Sequence, residues 1–283
     1  MSRRHAVERF AQAAMLLSTV AVVSGLVLTV GVIVANGARS LNWEMVSQLP
    51  SGGYYLGGSG GVLNAIVGSL ILAVGATVLA ALVALPVALF LQPEYRGETR
   101  IAGVVRGSLD LLWGIPSIVY GAFGFTLLIY LGMRASLMGG IFALALVELP
   151  IMARAMDEVL RMVPAELREA SYSMGATRWE TMRRVVLPQV FGGLITAALL
   201  AFGRGIGDAA SVLFTAGYTD NLPRSLQDPV ASLPLAVFFQ LGTPFPEVQQ
   251  RAHASALILL IVVLIISVLS RVLTRRLTRF AVK

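Results

Sequence analysis

Long runs of apolar residues, separated by short polar segments, dominate the pattern of this sequence. A helix needs about 20 consecutive apolar residues to cross the hydrocarbon core of a bilayer. The pattern predicts six membrane-spanning helices, at residues 14–34, 60–91, 111–133, 135–155, 189–216 and 254–273. The fold class that follows is all-α, that of a polytopic membrane protein.

The first apolar run follows several arginines, as the apolar region of a secretory signal peptide would. Residues 10–38 carry no charged side chain. This stretch is far longer than the roughly 7–15 residues of a signal peptide's apolar region. We therefore expect a membrane anchor that is retained.

The composition favours the same class. Hydrophobic residues make up 57% of the 283 residues and charged residues only 13%, with a mean hydropathy of +0.79. An average soluble domain has roughly 25% charged residues, about twice this share. A soluble protein this apolar could not cover its surface with polar groups, so the composition excludes water-soluble classes.

The basic residues are distributed unevenly between the polar segments. If the N-terminus is cytoplasmic, 17 of the 22 basic residues fall in four inside segments, at residues 1–13, 92–110, 154–188 and 271–283. Cytoplasmic loops carry an excess of Arg and Lys, so we expect both termini in the cytoplasm. This topology accounts for the net charge of +7 and removes the support for binding to nucleic acid.

Few of the residue types that carry out catalysis are present. The chain has no Cys, and its two histidines, His5 and His253, are too few for a zinc site. No Gly-Lys pair occurs, so the chain lacks the P-loop with which many ATPases hold phosphates. We therefore expect a chain that is not an enzyme and that binds no metal or cofactor of its own.

Two polar segments are longer than a simple connection requires. The inside segment at 154–188 is charged and favours helix. The outside segment at 217–251 contains an apolar patch, Leu233–Leu241, which is too short to span and which we expect to form a re-entrant or interfacial helix. The Gly-rich residues 52–61 are expected to form a flexible outside loop.

The inside segment contains a helix–turn–helix pattern. Pro164 and Glu166 suit the start of a helix, and Gly175 permits a turn with positive φ. Pro188 suits the first turn of the membrane helix that follows. The segment therefore forms a short amphipathic element that either packs on its own protein or docks a partner.

The same segment resembles the permease subunits of ABC importers. Their pattern is E-A-A, three residues, G, nine residues and I-x-L-P, and here it is EAS at 169–171, then Gly175, then VVLP at 185–188. In that family the segment docks into a separate ATPase subunit. The resemblance implies a coupling segment at 161–188, whose coupling residues are Glu169, Ala170, Gly175, Ala176, Leu187 and Pro188.

Other stretches are similar to the permeases of phosphate importers, and in particular to the PstA type. They are GIPSIVYG at 114–121, PIMAR at 150–154, GRGIGDA at 203–209, and the Pro-rich stretches at 229–234 and 244–247. The third corresponds to the family's R-x-x-G-E-T, with Asp208 for Glu and Ala209 for Thr. The shorter reach of Asp leaves the identity of the transported anion open.

This resemblance covers about residues 60–273 and implies a type I ABC importer permease that carries inorganic phosphate by alternating access. The implied partners are a PstB-like ATPase subunit that uses ATP and Mg²⁺, a PstC-like sister permease and a PstS-like phosphate-binding protein. The implied location is the inner (cytoplasmic) membrane. The chain then divides into residues 1–59, a transmembrane domain at 60–273 and a basic cytoplasmic tail at 274–283.

Two other functions stay open on the sequence. The same architecture would serve another oxyanion, such as sulfate, molybdate or tungstate. A stand-alone secondary transporter is the third hypothesis. The chain has few intramembrane carboxylates from which to build a proton relay, which counts against that hypothesis.

Charged side chains within the predicted spans are the candidate substrate residues. Arg204 and Asp208 are four residues apart, so they lie on one helical face and can pair. The pair either holds helices together or lines the substrate path, where Arg204 would donate to the oxygens of an anion. Because the family resemblance falls on this pair, we expect it to line the path.

Glu148 and Arg154, late in the fourth span, are expected to belong to the same path. Glu148 would accept a bond from Arg154 or from a partner subunit. A polar contact between packed helices is the alternative role for Glu148.

Overall fold

The computed structural model describes residues 3–51, 60–97 and 99–277, and the described chain is predominantly helical. Its helices are α1 (Arg3–Ser40), α2 (Trp43–Ser47), α3 (Leu63–Phe90), α4 (Arg100–Trp113), α5 (Ser117–Tyr130), α6 (Leu137–Arg161), α7 (Ala165–Ser173), α8 (Arg178–Thr181), α9 (Leu187–Gly205), α10 (Leu233–Leu241) and α11 (Pro246–Leu277). A π-helical turn, Met182–Val186, joins α8 to α9.

Five helices of the described chain are long and apolar enough to cross a membrane. They are α1, α3, α6, the continuous helix that contains α8 and α9, and α11. A sixth crossing results if α4 and α5 count as one bent span. The expected class, an all-α polytopic membrane protein, is confirmed.

The predicted third span, residues 111–133, is not one helix. α4 ends at Trp113, and α5 begins at Ser117 in a direction that differs by 98°. The break includes Pro116, which lacks an N–H and disfavours helical conformation in the residue before it. α4 begins at Arg100, within the segment that the sequence assigns to an inside loop.

The predicted fifth span, residues 189–216, is helical only in its first part. α9 ends at Gly205, and turns and irregular backbone follow at residues 206–216. The three glycines at positions 203, 205 and 207 each weaken a helix by about 1 kcal/mol relative to Ala. The span therefore consists of a helix followed by irregular backbone.

Residues 206–216 pack into notches that glycines provide. A Cβ atom built on Gly121 of α5 would lie only 2.7 Å and 2.8 Å from the carbonyl oxygens of Ala210 and Ser211. A Cβ atom on Gly139 of α6 would lie 2.8 Å from the carbonyl oxygen of Thr215. Non-helical backbone is tolerated at membrane depth where it is buried in protein, and these notches bury it.

The helix bundle has two distinct ends, which we name the α7 end and the α10 end. At the α7 end, Arg168 bonds to Glu94, which follows α3, and to the carbonyl of Leu160 near the end of α6. At the α10 end, the Leu233 N–H donates to Ser69 Oγ of α3 at 2.8 Å. Between these ends, α3, α6 and α9 pack around one hydrophobic core. The short helix predicted at Leu233–Leu241 is confirmed as α10.

α1 lies at the periphery of the bundle. Its apolar stretch is largely exposed, as expected for a helix that faces lipid, and it packs along α11 on one side. Gly37, near its end, lies against the carbonyl of His253, which is near the start of α11. The two helices are therefore antiparallel, and both the start of α1 and the end of α11 lie at the α7 end. Most of the predicted Gly-rich loop, residues 52–59, lies outside the described residues.

Candidate functional site

The coupling segment, residues 161–188, begins with the helix–turn–helix conformation that the sequence predicts. α7 starts after Pro164, and Gly175 adopts φ = +85°, in the left-handed region that favours glycine. Thr177 then caps α8. Its hydroxyl accepts the Glu180 N–H at 3.3 Å, and the Glu180 carboxylate accepts the Thr177 N–H at 2.9 Å.

Pro188 lies in the first turn of α9, as the sequence predicts, but no break in the helix precedes it. The chain is helical without interruption from Arg178 to Gly205, through the π-helical turn at Met182–Val186. Pro188 cannot donate to the carbonyl four residues before it, and a wider turn accommodates this defect. The second half of the coupling segment and the first half of the fifth span are thus one helix.

The coupling segment is fixed to the bundle on one side and open on the other. Arg168 Nη1 donates to the buried Glu94 carboxylate at 2.5 Å, and the hydroxyls of Ser171 and Thr181 bond at 2.8 Å. The exposed residues include Glu169, Ala170, Tyr172, Met174, Gly175, Trp179 and Pro188, while Ala176 and Leu187 are half-buried. Most of the predicted coupling residues therefore lie on a surface that a partner can reach.

An open groove of about 920 Å³ runs beside α7. Its walls include Glu94, Arg161, Tyr172 and Arg178. Burial, together with the nearby negative charge of Glu94, raises the pKa of the Tyr172 phenol above its ordinary value. A surface with Arg and Tyr and with charges of both signs is suited to a protein partner.

A buried carboxylate, Asp157 of α6, is the centre of a charge network at the α7 end. It accepts hydrogen bonds from Arg106 Nε at 2.9 Å, Gln92 Nε2 at 3.0 Å and Arg154 Nη1 at 3.4 Å. Arg106 also donates to the carbonyl of Gly97 at 3.0 Å. Asp157 therefore ties α4 and the connection between α3 and α4 to α6, next to the coupling segment.

Removal of this carboxylate is expected to destabilise the protein strongly. Asp157→Ala leaves Arg106, whose side chain is 15% exposed, without its counter-charge, and breaking such a pair costs about 3–5 kcal/mol. Glu158→Ala is the matched control, because the neighbouring Glu158 side chain is 57% exposed and its ion pair contributes about 0–1 kcal/mol. Thermal unfolding of the purified variants measures the difference. Equal midpoints for the two variants would contradict the prediction.

The predicted Arg204–Asp208 pair is formed, although not on one helix. Arg204 is in the last turn of α9, and Asp208 follows the end of that helix. Arg204 Nη1 donates to Asp208 Oδ2 at 2.8 Å, and Asp208 Oδ1 accepts the Ser211 N–H at 2.9 Å. The Arg204 side chain is 48% exposed, while that of Asp208 is 2% exposed. The guanidinium therefore retains N–H donors for an anion while Asp208 holds it in place.

Glu148 lies next to this pair, whereas Arg154 belongs to the Asp157 network. Glu148 is fully buried, accepts from Thr77 Oγ1 at 2.8 Å and packs against Gly205, the neighbour of Arg204. Arg154 donates to Asp110 at 2.7 Å. The expected bond from Arg154 to Glu148 is not formed, because positions 148 and 154 face different sides of a helix with 3.6 residues per turn. Three of the four predicted path residues thus lie together.

Within the part of the chain that the structure describes, no group of three or more His, Cys, Asp or Glu residues is arranged to hold a metal ion.

The glycines that make room for the irregular half of the fifth span were not predicted from the sequence. Gly121 is the last residue of the GIPSIVYG stretch, and its notch receives the backbone of Ala210 and Ser211. Ser211 in turn donates to Asp208, so Gly121 helps to place the charged pair. The GIPSIVYG motif was the available sequence signal for this notch. The role of its last glycine depends on the contact between Gly121 and Ser211, which are 90 positions apart.

Residues 84–282 match the family described as the inner membrane component of binding-protein-dependent transport systems. The match covers more than half of the chain. The chain belongs to this family. The resemblance of the coupling segment to ABC importer permeases is thereby confirmed.

Curated relatives of this permease include several PstA proteins. This permease is 39% identical over 206 residues to phosphate transport system permease protein PstA 1 of Mycobacterium tuberculosis (strain CDC 1551 / Oshkosh). The aligned region covers 72% of this chain and 67% of that protein. The permease is 36% identical over 203 residues to PstA of Xylella fastidiosa (strain Temecula1 / ATCC 700964), with coverage of 71% and 70%. It is 35% identical over 202 residues to PstA of Yersinia pestis, with coverage of 71% and 68%.

Solved structures with the same fold include chains of two ABC transporters. A chain of the inward-facing MetNI methionine transporter superposes with a TM-score of 0.62 at 22% identity, covering 77% of this permease and 96% of that chain. A chain of a bacterial alginate transporter, solved with an alginate-bound periplasmic protein, gives a TM-score of 0.64 at 14% identity, covering 99% of both chains. The fold is that of ABC transporter membrane chains.

Proposed function

We propose that this permease is the PstA-type membrane subunit of an ATP-driven importer of inorganic phosphate. The observation that carries the proposal is 35–39% identity to proteins named PstA over 202–206 residues. The partly exposed guanidinium of Arg204 supports it, because arginine donates paired hydrogen bonds to phosphate oxygens.

The proposed subunit catalyses no reaction itself. A PstB-like ATPase uses ATP and Mg²⁺ and binds the exposed side of the coupling segment. A PstC-like sister permease completes the path, and a PstS-like protein delivers phosphate at the α10 end. ATP-driven motion then opens the path alternately to the two sides of the inner membrane.

The identity of the cargo is tested with the assembled complex. Chain, sister permease, ATPase and binding protein are purified together, and ATP hydrolysis is measured with phosphate, sulfate, molybdate or tungstate. We expect phosphate to stimulate hydrolysis through its binding protein and the other oxyanions to leave it at the basal rate. Stimulation of ATP hydrolysis by another oxyanion and not by phosphate would overturn phosphate as the cargo. The proposed importer architecture would be unaffected by that result.

The proposed topology places the α7 end in the cytoplasm, in agreement with the distribution of basic residues. Because the chain has no Cys, a single introduced Cys reports its own accessibility. Arg178→Cys is expected to resist a membrane-impermeant thiol reagent added to intact cells and to react after the cells are opened. Arg134→Cys, between α5 and α6, is the matched control and should react in intact cells. The reverse labelling pattern would invert the topology.

A further inference from the structure

Three helices meet at one buried side chain, Glu148, near the middle of α6. Its Oε2 accepts a hydrogen bond from Thr77 of α3 at 2.8 Å, and the residue is 0% exposed. Its Oε1 lies against Gly205 of α9, so close that a Cβ atom at position 205 would overlap it. Glu148 therefore contacts both neighbouring helices of the core at the same depth.

The contact with Gly205 falls at the point where α9 ends. The Ile206 N–H makes the last helical bond, to the carbonyl of Phe202 at 2.9 Å, and the Asp208 N–H then turns back to the carbonyl of Gly205 at 3.0 Å. Arg204 immediately precedes Gly205, and Asp208 follows three residues later. The position of the end of α9 therefore fixes where the Arg204–Asp208 pair lies.

Ion pairing does not explain why a carboxyl group is present at position 148. Among the described residues, no cation bonds to Glu148, because Arg204 pairs with Asp208 and Arg154 pairs with Asp110 and Asp157. The Oε1 atom makes no hydrogen bond. What the side chain supplies is its length and one bond to Thr77, which together fill the space that Gly205 leaves.

We propose that Glu148 is a positioning residue for Arg204: wedged between Thr77 and Gly205, it sets the place at which α9 ends and thereby places the guanidinium. The proposal rests on the proposed function of Arg204 in the path of the anion. It reassigns Glu148 from a direct contact of the substrate to a residue that acts through its neighbour.

The test enlarges the side chain at position 205 and shortens the side chain at position 148, separately and together. Gly205→Ala adds a methyl group that collides with Oε1, and Glu148→Ala removes the side chain that supports the end of α9. Each single change is expected to lower phosphate uptake at least about tenfold, because a displacement of about 1 Å costs up to about 100-fold at a reacting or binding group. The double variant restores the fit between the helices, and its uptake is expected to recover to within about threefold of the wild type.

A matched control and separate readouts keep the outcomes distinct. Gly203→Ala adds the same methyl group in the same helix, at a position where no atom beyond the local helix backbone lies within 4 Å, and it should transport like the wild type. Uptake by each variant is normalised to its membrane level and to its assembly with the ATPase subunit, so that a loss of protein is not scored as a loss of transport. If Gly205→Ala does not assemble, the comparison of Glu148→Ala with the double variant still tests the contact.

Two results would overturn the proposal. One is normal uptake by Gly205→Ala, and the other is failure of the double variant to recover although it assembles. A failure of the proposed role of Arg204 is distinguishable, because the Arg204→Met, Asp208→Asn double variant would then carry phosphate normally whatever the variants at positions 148 and 205 do. A failure of the proposed phosphate function is distinguishable as well, because the wild-type complex itself would then take up no phosphate.

Discussion

Uptake of labelled phosphate is expected to fall at least about 100-fold in cells whose importer carries Arg204→Met together with Asp208→Asn, the loss typical of removing one preorganised donor. The double change removes both charges, so neither partner is left as an unpaired buried charge. An asparagine at position 208 can still accept the Ser211 N–H that Asp208 Oδ1 accepts at 2.9 Å, so the local backbone keeps its bond. The loss would therefore come from the missing guanidinium.

Two single variants complete this experiment. Arg204→Lys keeps the charge but replaces a planar fork of five donors by a point charge, so uptake is also expected to fall. Asp208→Asn alone leaves the guanidinium with a weaker partner and tests what the ion pair itself contributes. The measurement is initial uptake in cells that lack other phosphate transporters, normalised to the amount of assembled complex. Near-normal uptake by the Arg204→Met, Asp208→Asn variant would assign the pair to helix packing.

The second large effect is expected at the turn of the coupling segment. Gly175→Arg places a bulky cation on the exposed surface and forces an L-residue into φ = +85°, which costs about 1–2 kcal/mol. Because the bulky cation would obstruct the docking surface, we expect the ATPase subunit to bind at least about tenfold more weakly, which corresponds to about 1.4 kcal/mol. Pull-down of the ATPase and phosphate uptake measure the two consequences.

The matched control for this change is at the other end of the bundle. Gly132 also has a positive φ, +68°, and open space around it, so Gly132→Arg imposes a similar backbone cost away from the coupling segment. It should bind the ATPase subunit normally. Binding retained in Gly175→Arg, or lost equally in Gly132→Arg, would contradict the role of the turn.

A charge reversal tests the same surface without backbone strain. Glu169 is exposed on α7, and Glu169→Lys is expected to uncouple transport while the protein stays inserted in the membrane, because a reversed charge opposes an electrostatically complementary contact. Uncoupling means that the binding protein no longer stimulates ATP hydrolysis. Normal uptake with normal ATPase binding would remove Glu169 from the interface.

Hydropathy predicts where the chain crosses the membrane but not where the helices within a crossing end. The residues on both sides of the 98° bend between α4 and α5 are apolar, so their average composition carries no mark of the bend. The same holds at Gly205, where irregular backbone continues across the core. Pro116 and the glycines at 203, 205 and 207 were the local signals. Their effect depends on packing against helices that are distant in sequence, such as α5 at Gly121.

The candidate site could be predicted where its contacts are local. The Arg204–Asp208 pair joins residues four apart, and Gly175 acts within its own turn, so spacing was sufficient for both. The bond expected between Arg154 and Glu148 is not formed, because Arg154 pairs instead with Asp110, 44 positions away, and with Asp157 of its own helix. Glu148 was assigned to the path as a carboxylate within a predicted span, and its contacts with Thr77 and Gly205 could not be read from spacing.

The uninterrupted helix from Arg178 to Gly205 gives the permease a mechanical lever. Its 28 residues span about 42 Å at 1.5 Å per residue, with the turn proposed to dock the ATPase subunit next to one end and Arg204 near the other. A tilt of about 10° about the first end would move the second by about 7 Å, as follows from that length. A small tilt at the coupling segment would thus become a larger displacement at Arg204, on the proposed anion path. The π-helical turn at Met182–Val186 is a widened turn along this helix, and a bend there would reduce the displacement that reaches Arg204.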